Sequence, residues 1–294
     1  MTLPPTVDQW RAAGTFVRWR EHAIFVRVDG RPSAPPLVLI HGFPTASWDW
    51  WSLWDALAAD YRLIACDLLG LGLSAKPRGG YSMMAQADLI EAVAAWAGVT
   101  RAAVLAHDYG DTVAQELLAR HREGGALRLS GVALLNGGLF PEAHRARPIQ
   151  RALASPLGPL VARLSSRRTF VRSMRAIAGA QPPVMAELDT LWELASRDGG
   201  VAAMPGLLGY LTERRRHRAR WVGAVVDSPV PLRLVDGLAD PVSGAHMVAR
   251  YRELVPRADV VELPGVGHYP QLEAPDAVLA AVAPFLASCA TTAP

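Results

Sequence analysis

The sequence predicts an α/β fold in which a mostly parallel central sheet is flanked by helices on both faces. Short uninterrupted apolar runs, which suit strands buried on both faces, alternate with longer segments that can form helices. The chain has 294 residues, 51% of them hydrophobic, which is enough for one large core. The alternation stops between about residues 141 and 221, which predicts an inserted helical segment rather than a second independent domain.

The first half of the chain supplies a hairpin and then three buried strands. Residues 16–20 and 24–28 alternate apolar and polar side chains, which predicts an antiparallel hairpin. Continuous apolar runs predict strands, and amphipathic segments predict helices, as follows: strands at 37–40, 63–66 and 102–105, and helices at 48–58, 83–96 and 111–120. Successive strands joined by helices are expected to be parallel.

The predicted insertion follows a further strand at 132–135. Residues 141–221 contain only helix-like pieces interrupted by prolines, and we interpret them as a helical cap (lid) inserted into a core formed by residues 1–140 and 222–294. The alternation then resumes with strands at 232–235 and 260–263 and helices at 245–254 and 274–286. Residues beyond Ser288 are expected to form a loose tail.

The chain is only slightly basic, with a net charge of +3, and Lys76 is its only lysine. The charges look scattered along the sequence except at residues 213–220, the densest arginine cluster. We interpret this cluster as a solvated helix face, because a nucleic-acid-binding surface would need a broader basic face with interleaved aromatic side chains. No nucleic-acid partner is therefore expected.

No feature of the sequence indicates a membrane or an oxidising compartment. Residues 1–10 lack a basic region followed by an apolar run, and 18 apolar residues never occur together. Cys66 and Cys289 are far apart and have no metal-ligand spacing. We expect a cytoplasmic protein with no membrane partner, no metal and no other cofactor, and the sequence leaves open whether the chain forms a homodimer.

The chemistry is indicated by the pentapeptide Ala106-His107-Asp108-Tyr109-Gly110, which joins a predicted buried strand to a predicted helix. Small residues two before and two after the central residue allow a strained turn that holds the central side chain above the sheet. In α/β-hydrolases this turn is the nucleophile elbow. Here an aspartate stands where serine or cysteine is usual, so we predict an α/β-hydrolase fold with Asp108 as the nucleophile.

An acid and a base are expected at the ends of later strands, in the chain order nucleophile, acid, histidine. Asp240 follows the penultimate predicted strand, and His268 follows the last one. Asp236 is a nearer rival for the acid, but the later loop position of Asp240 lets its carboxylate reach a histidine Nδ1. The other position where the acid could lie, after the strand at 132–135, is occupied by Asn136, which has no carboxylate.

Two backbone amides are placed to form an oxyanion hole. The segment His41-Gly42-Phe43-Pro44 ends a strand that we expect beside the elbow. We predict that the N–H groups of Phe43 and Tyr109 stabilise the oxyanion. The prediction concerns these amides alone, since the two rings are equally well explained as core packing.

A carboxylate nucleophile favours attack on a saturated carbon. With an ester or amide it would form a reactive anhydride, whereas displacement at an sp³ carbon forms an ordinary alkyl ester. His268, oriented by Asp240, would then take a proton from a water that adds to the acyl carbon of Asp108. The predicted reactants are an apolar epoxide or an alkyl halide, together with water.

The leaving atom distinguishes these two substrates. An epoxide oxygen needs an acidic O–H donor, while a halide needs N–H donors such as a tryptophan indole or an asparagine amide. The insertion contains a candidate O–H donor in Tyr210, whereas Tyr109 and Phe43 stand where dehalogenases commonly carry tryptophan and some carry asparagine. Both observations favour epoxide opening. We expect the width of the substrate pocket to depend on the packing of Trp192, Met204, Leu207 and Tyr210.

Several strings in the sequence resemble one known family. HGFPTASWDW, DLLGLGLSAKP, AHDYGDTVAQELLAR, NGGLFPEAHR, GLADPV and GHYPQLE together look like the mesoderm-specific transcript proteins and their bacterial relatives, on the epoxide-hydrolase side of the α/β-hydrolases. The resemblance runs from about residue 14 to residue 285. It implies that Asp108, Asp240 and His268 are nucleophile, acid and base, and that Tyr210 is a ring-opening tyrosine of the lid.

The sequence departs from that family in the donors of the lid. Many epoxide hydrolases use two lid tyrosines, and residues 136–221 contain only Tyr210. His144 lies near the expected place of the first one, so we consider it as a second donor, against the plainer interpretation of a structural or surface histidine. At Asp111 we expect a charge stabilised in the first turn of the elbow helix.

The resulting prediction is a cofactor-independent epoxide hydrolase that makes vicinal diols through an Asp108 ester. A haloalkane dehalogenase is the first alternative. A non-catalytic member that binds a small ligand in the same pocket is the second.

Overall fold

The structure is a computed structural model that describes residues 3–291, and its centre is one eight-stranded sheet. The strands are β1 Thr15–Trp19, β2 His22–Asp29, β3 Pro36–Ile40, β4 Arg62–Cys66, β5 Arg101–His107, β6 Arg128–Leu135, β7 Leu232–Gly237 and β8 Val260–Leu263. Their order is β1-β2-β4-β3-β5-β6-β7-β8, with β1–β2 and β2–β4 antiparallel and the remaining pairs parallel. The predicted mostly parallel sheet is confirmed.

Helices connect the strands. Those of the first half are α1 Val7–Ala12, α2 Trp51–Asp60, α3 Met83–Trp96 and α4 Tyr109–Arg122. Between β6 and β7 lie α5 Pro148–Leu153, α6 Gly158–Arg163, α7 Arg167–Arg175, α8 Met185–Ser196, α9 Gly200–Leu207, α10 Tyr210–Arg216 and α11 Arg218–Val226. The chain ends with α12 Ala245–Leu254, α13 Pro270–Glu273 and α14 Pro275–Thr291. The elements predicted outside the insertion are present within a few residues of their predicted bounds.

The order of the parallel strands places the candidate residues together. Strand β5 lies between β3 and β6, with Ile40 paired to Ala106 and His107 paired to Leu135. Beyond β6, the sheet continues with β7 and β8. Because parallel strands end at the same edge of the sheet, the loops that follow β3, β5, β7 and β8 meet there.

Helix α11 packs against α4 through a buried acidic side chain. Glu116 accepts hydrogen bonds from Arg120 Nε at 2.9 Å, from Arg220 Nε at 2.7 Å and from Trp221 Nε1 at 2.8 Å. The interpretation of residues 213–220 as a solvated helix face is therefore wrong for Arg220, and it is also wrong for the buried Arg214. These arginines have partners on α4 that lie about 100 residues away in sequence.

The predicted loose tail after Ser288 is also wrong in part. Helix α14 continues to Thr291. Cys289 of this helix is buried against Gly131 of β6, because a Cβ added to Gly131 would lie only 2.2 Å from the Sγ of Cys289. Cys66 and Cys289 are both buried. Among residues 3–291, none of the helices combines the length and the apolar character needed to cross a bilayer.

Candidate active site

Asp108 lies at the turn between β5 and α4 in a strained backbone conformation. Its φ of 49° and ψ of −104° are values that L-residues rarely adopt. The turn is tight because β3 passes beside it: a Cβ on Gly110 would lie only 2.4 Å from the carbonyl oxygen of Ile40. The small residues of the pentapeptide thus allow this close approach, and the strained turn carries Asp108 at the edge of the sheet.

The carboxylate of Asp108 contacts groups from two other loops. Its Oδ2 accepts a 3.1 Å hydrogen bond from the N–H of Phe43, and its Oδ1 lies 3.8 Å from Nε2 of His268. The side chains of Asp108 and His268 are only 3% and 5% exposed. Oδ2 is therefore held by the amide, and Oδ1 is the carboxylate oxygen beside the imidazole of His268.

Asp240 orients His268. Nδ1 of His268 donates a 2.7 Å hydrogen bond to Oδ2 of Asp240, which also accepts from Ser243 and Asn136. Burial alone would raise the pKa of Asp240, but His268 and the surrounding donors lower it to about 2. Burial alone would lower the pKa of His268, but the charges of Asp240 and Asp108 raise it to about 9. The resting pair is therefore an imidazolium beside a carboxylate.

The rival acid, Asp236, takes no part in this pair. It is fully buried, and its carboxyl oxygens have no hydrogen-bond partner within residues 3–291. Burial raises its pKa well above the usual value, which favours the neutral form of the group. Asn136, in the other seat for an acid, instead supports Asp240: its Nδ2 donates to Oδ2 of Asp240 at 3.0 Å, and its Oδ1 accepts from the N–H of Gly237 at 2.8 Å.

The two backbone amides predicted to form the oxyanion hole, those of Phe43 and Tyr109, lie in different surroundings. The Phe43 N–H already contacts Asp108. Tyr109 is the first residue of α4, and the first amides of a helix have no carbonyl partner within it. The ring of Tyr109 is fully buried, with its hydroxyl 3.5 Å from Nε2 of Gln86. The oxyanion hole itself stays a prediction.

A cavity of about 360 Å³ extends from His268 into the helical segment between β6 and β7. Its walls come from both parts of the chain and are mainly apolar; they include Phe43, Pro44, Leu153, Phe170, Met174, Trp192, Met204 and Val242. Two of the predicted pocket residues, Trp192 and Met204, therefore line this cavity with His268. Leu207 and Tyr210 do not line it, and Leu207 lies instead beside Gly70.

Comparison with known proteins decides the family. Residues 37–281 match the model of the alpha/beta hydrolase family. The chain belongs to this family.

Three relatives of this α/β-hydrolase show how its similarity is distributed. It is 43% identical over 276 residues to LipZ of Mycobacterium tuberculosis, a protein named as a hydrolase. This alignment covers 93% of this chain and 95% of LipZ. It is 38% identical to the mesoderm-specific transcript homolog protein of Bos taurus, over 97% of this chain and 89% of that protein. Haloalkane dehalogenase 2 of Mycobacterium bovis is 28% identical, over 85% and 87% of the two chains.

A solved structure shares the fold over nearly the whole length. The alpha/beta hydrolase fold protein from Burkholderia ambifaria superposes with a TM-score of 0.75 at 25% identity, covering 91% of this chain and 96% of that chain. The predicted fold is therefore confirmed. The likeness to mesoderm-specific transcript proteins is also confirmed, while membership of an epoxide-hydrolase group belongs to the proposal below.

Tyr210 is fully buried beside the elbow of this α/β-hydrolase. Its ring packs edge-on against Tyr109, with the ring centroids 5.1 Å apart. The hydroxyl is buried and donates no hydrogen bond to any residue of the described range 3–291. Burial raises its pKa, the charge of Asp108 raises it further, and Arg214 opposes both. Tyr210 is therefore a neutral O–H group within the electrostatic range of Asp108.

Sequence reasoning missed Arg214, which lies under the elbow. Its Nε donates a 2.7 Å hydrogen bond to Oγ1 of Thr112, and its Nη2 lies 3.3 Å from the carbonyl oxygen of Asp108. Its guanidinium lies 4.4 Å from the ring centroid of Tyr210. Arg214 is 2% exposed, so water screens its positive charge only weakly, and this charge lies close to both Asp108 and Tyr210. Only its place within a run of arginines was visible in the sequence.

His144 lies next to Arg214. A Cβ on Gly138 would lie 2.2 Å from Nη1 of Arg214 and 2.6 Å from Nδ1 of His144. Burial and the arginine charge lower the pKa of His144 to about 3, so its ring is neutral at physiological pH. Its two ring nitrogens have no hydrogen-bond partner among residues 3–291. His144 can therefore donate a hydrogen bond but is a poor source of a proton.

The expectation for Asp111 is wrong. The residue is fully buried under the elbow, where an added Cβ on Gly137 would meet its carboxyl oxygen at 2.1 Å. Burial, together with the charge of Asp108, raises its pKa well above the usual value. A neutral carboxyl group does not gain from the helix N-terminus as a charge would. Its first-turn position, which the structure confirms, suggested a stabilised charge because the sequence does not show that α4 is buried at this end.

The loop that carries His268 is held from the insertion. The N–H of His268 donates to the carbonyl of Ile177 at 2.9 Å. Buried Glu273 accepts from the N–H groups of Gly267 and Gly179, at 2.8 and 2.7 Å. The approach is close enough that a Cβ on Gly267 would lie 2.3 Å from the nitrogen of Gly179. The segment after α7 therefore fixes the position of His268.

Proposed function

We propose that this α/β-hydrolase is an epoxide hydrolase that opens an epoxide to a vicinal diol through an ester on Asp108. The observation that carries the proposal is the aspartate at the elbow, beside a histidine that a second aspartate orients. We further propose that the helices from α5 to α10 act as a cap, since several of them line the cavity that reaches His268. No step requires a cofactor.

In the first step, Oδ1 of Asp108 attacks a ring carbon and the carbon–oxygen bond of the epoxide breaks. The departing oxygen takes a proton or a hydrogen bond from Tyr210, whose hydroxyl donates to no other described residue. Arg214 assists, because its charge favours the tyrosinate that proton donation leaves behind. The neutral ring of His144 could add a second hydrogen bond to the same oxygen.

In the second step, His268 takes a proton from a water that adds to the acyl carbon. When the tetrahedral intermediate collapses, the bond from the acyl carbon to Oδ1 breaks, and the diol leaves with the proton that His268 returns to it. The oxyanion that forms on the former Oδ2 already has the Phe43 N–H as a donor at 3.1 Å, and we assign the Tyr109 amide as the other. Part of the raised pKa of His268 comes from the charge of Asp108. Esterification removes that charge and lowers the pKa of His268, so the imidazolium releases its proton to solvent, a proton returns to Tyr210, and the neutral ring acts as the base.

The test is to trap the ester. Replacing Asp108 with Ala should abolish diol formation from every epoxide that the wild type accepts. Replacing His268 with Gln should leave ester formation intact and block its hydrolysis, so mass spectrometry should find the enzyme heavier by one substrate molecule, with the added mass on the peptide that holds Asp108. Diol formation by the Asp108→Ala variant, or no adduct with His268→Gln, would contradict the mechanism.

A haloalkane dehalogenase is the alternative that the 28% identity to Haloalkane dehalogenase 2 supports. The geometry around Asp108 favours it less, because Tyr109 offers no indole N–H and its hydroxyl lies next to Gln86. A halide-release assay with chlorinated and brominated alkanes distinguishes the two activities. A pocket that only binds a small ligand would instead be indicated by inactivity on epoxides, halides and esters alike.

A further inference from the structure

One stretch of the helical segment is strongly basic. Residues 143–186 contain eight arginines and no aspartate or glutamate. They include α5, α6 and α7, and within residues 3–291 only Arg167 of the eight has a carboxylate partner, Asp189 at 2.5 Å. The positive charge of this stretch is therefore largely uncompensated. This basic stretch is not obvious in the linear sequence because uncharged residues separate most of its arginines.

The same stretch exposes large apolar side chains. Among the described residues, nine large hydrophobic side chains are exposed, and six of them lie between residues 149 and 185. Three belong to α6 and its ends: Leu157, Leu160 and Leu164 are 65%, 56% and 73% exposed. The opposite side of α6 is buried at Gly158 and Ala162. We call the exposed faces of α5, α6 and α7, residues 145–175, the arginine–leucine surface.

The cavity beside His268 opens in this surface. Ile149 at the start of α5 and Arg172 on α7 both line the cavity, and both are also exposed to solvent. These two residues therefore lie at the entrance of the cavity. A molecule that enters the cavity between these two helices therefore passes through the arginine–leucine surface.

We propose that the arginine–leucine surface docks on a bilayer that contains anionic phospholipid. Exposed leucines beside unpaired arginines match the two parts of such a bilayer, because the leucines can enter the acyl boundary while the guanidinium groups reach the lipid phosphates. Each arginine near an anionic membrane contributes about 1 kcal/mol, or about fivefold in partitioning. Nucleic acid would satisfy the charge but leave the leucines in water. This docking differs from the absence of a membrane partner that the sequence led us to expect.

The experiment measures cosedimentation of the full chain with vesicles. The wild type should bind vesicles of equimolar phosphatidylglycerol and phosphatidylcholine, and should bind pure phosphatidylcholine at least about tenfold more weakly. An Arg163→Gln/Arg168→Gln variant should lose about 25-fold in partitioning, which is two fivefold steps. Its matched control, Arg31→Gln/Arg257→Gln, removes two exposed arginines elsewhere and should change partitioning less than about twofold.

The leucines need their own variant because charge alone would also bind other polyanions. Replacing Leu157, Leu160 and Leu164 with Ser should remove the binding that persists at about 1 M salt, where the Debye length is only about 3 Å. The control is Leu3→Ser, since Leu3 is 85% exposed outside this surface. The proposal is overturned if the wild type fails to bind the anionic vesicles, if it binds duplex DNA in preference to them, or if the surface variants bind as the controls do.

Discussion

At the scale of single residues, the charge of Asp108 is coupled to the groups on either side of it. The carboxylate raises the pKa of Tyr210 and contributes to the raised pKa of His268. In the proposed mechanism both effects disappear together when Asp108 becomes an ester. Tyr210 would then be a stronger acid as the epoxide oxygen leaves, and the pKa of His268 would fall toward that of a base for the next step.

The first prediction concerns Tyr210→Phe. The change removes a hydroxyl that donates no hydrogen bond in the described structure while keeping the ring packed against Tyr109. We expect the rate of ester formation to fall by about 10²- to 10⁴-fold, the usual contribution of a general acid, with little change in thermal stability. Single-turnover measurements of ester formation and a thermal melt test this. A loss of less than about threefold would exclude Tyr210 as the ring-opening donor.

The second prediction separates the two steps by their pH dependence. The resting His268 has a pKa raised to about 9, so it is protonated at neutral pH, and ester formation does not need it as a base. Ester hydrolysis does need the neutral ring. We therefore expect the rate of ester formation to vary little between about pH 6 and 8, and the hydrolysis rate to rise with pH until it passes the lowered pKa of His268 in the ester. Rapid-quench kinetics measure both rates, and hydrolysis that slows as pH rises would contradict this assignment.

At the scale of elements, the position of the base depends on two loops that touch through glycines. The loop after β8 and the segment after α7 approach each other so closely that neither Gly267 nor Gly179 has room for a side chain. Glu273 at the end of α13 satisfies the amides of both. The helical segment between β6 and β7 therefore holds the His268 loop as well as lining the cavity.

The third prediction is that Gly267→Ala displaces His268. Its Cβ would lie 2.3 Å from the backbone nitrogen of Gly179, so the backbone must move. We expect a loss of about 1–3 kcal/mol in the free energy of unfolding and a loss of about 10²-fold in ester hydrolysis. Chemical denaturation and single-turnover kinetics give the two values.

The matched control is Gly223→Ala. This glycine lies inside α11, and an added Cβ would meet no atom within 4 Å. The same substitution there should leave turnover unchanged and stabilise the protein by up to about 1 kcal/mol, because alanine favours a helix. Equal losses in the two variants would show that the effect at Gly267 is not specific to the His268 loop.

The strands and the strained turn at Asp108 could be predicted because their signals are local in sequence. Apolar runs gave the strands, and the spacing of small residues around Asp108 gave the elbow. Chain order was enough to choose His268 and to favour Asp240 over Asp236.

The residues that the sequence did not reveal act through distant contacts. Arg214 looked like one arginine of a solvated run, yet its partners Thr112 and Asp108 lie 102 and 106 residues away. The roles of Asn136 and Glu273 depend equally on which loops meet after folding. Burial of the first turn of α4 likewise had no local signal, so the state of Asp111 was predicted wrongly.

At the scale of the whole molecule, the fold buries neutral carboxyl groups under a charged site. Asp111 and Asp236 both have a pKa raised well above the usual value, chiefly by burial. The unfolded chain releases these protons near pH 4, while the folded protein releases them only at a higher pH. Above that pH the unfolded state binds fewer protons than the folded state, so each group makes the protein less stable as pH rises.

The last prediction is that Asp111→Asn and Asp236→Asn each remove part of the loss of stability that occurs as pH rises. The free energy of unfolding of each variant, relative to the wild type, should increase between pH 5 and pH 8, by up to about 1.4 kcal/mol per pH unit while the buried group stays protonated. His268 contributes stability that is lost above about pH 6.5, as pH rises through its folded pKa of about 9, but it is common to all the proteins and cancels. Urea denaturation at several pH values measures the difference, with exposed Asp227→Asn as the control that should show no such trend. A relative stability that stays flat for the two buried positions would mean that their carboxyl groups are ionised in the folded protein.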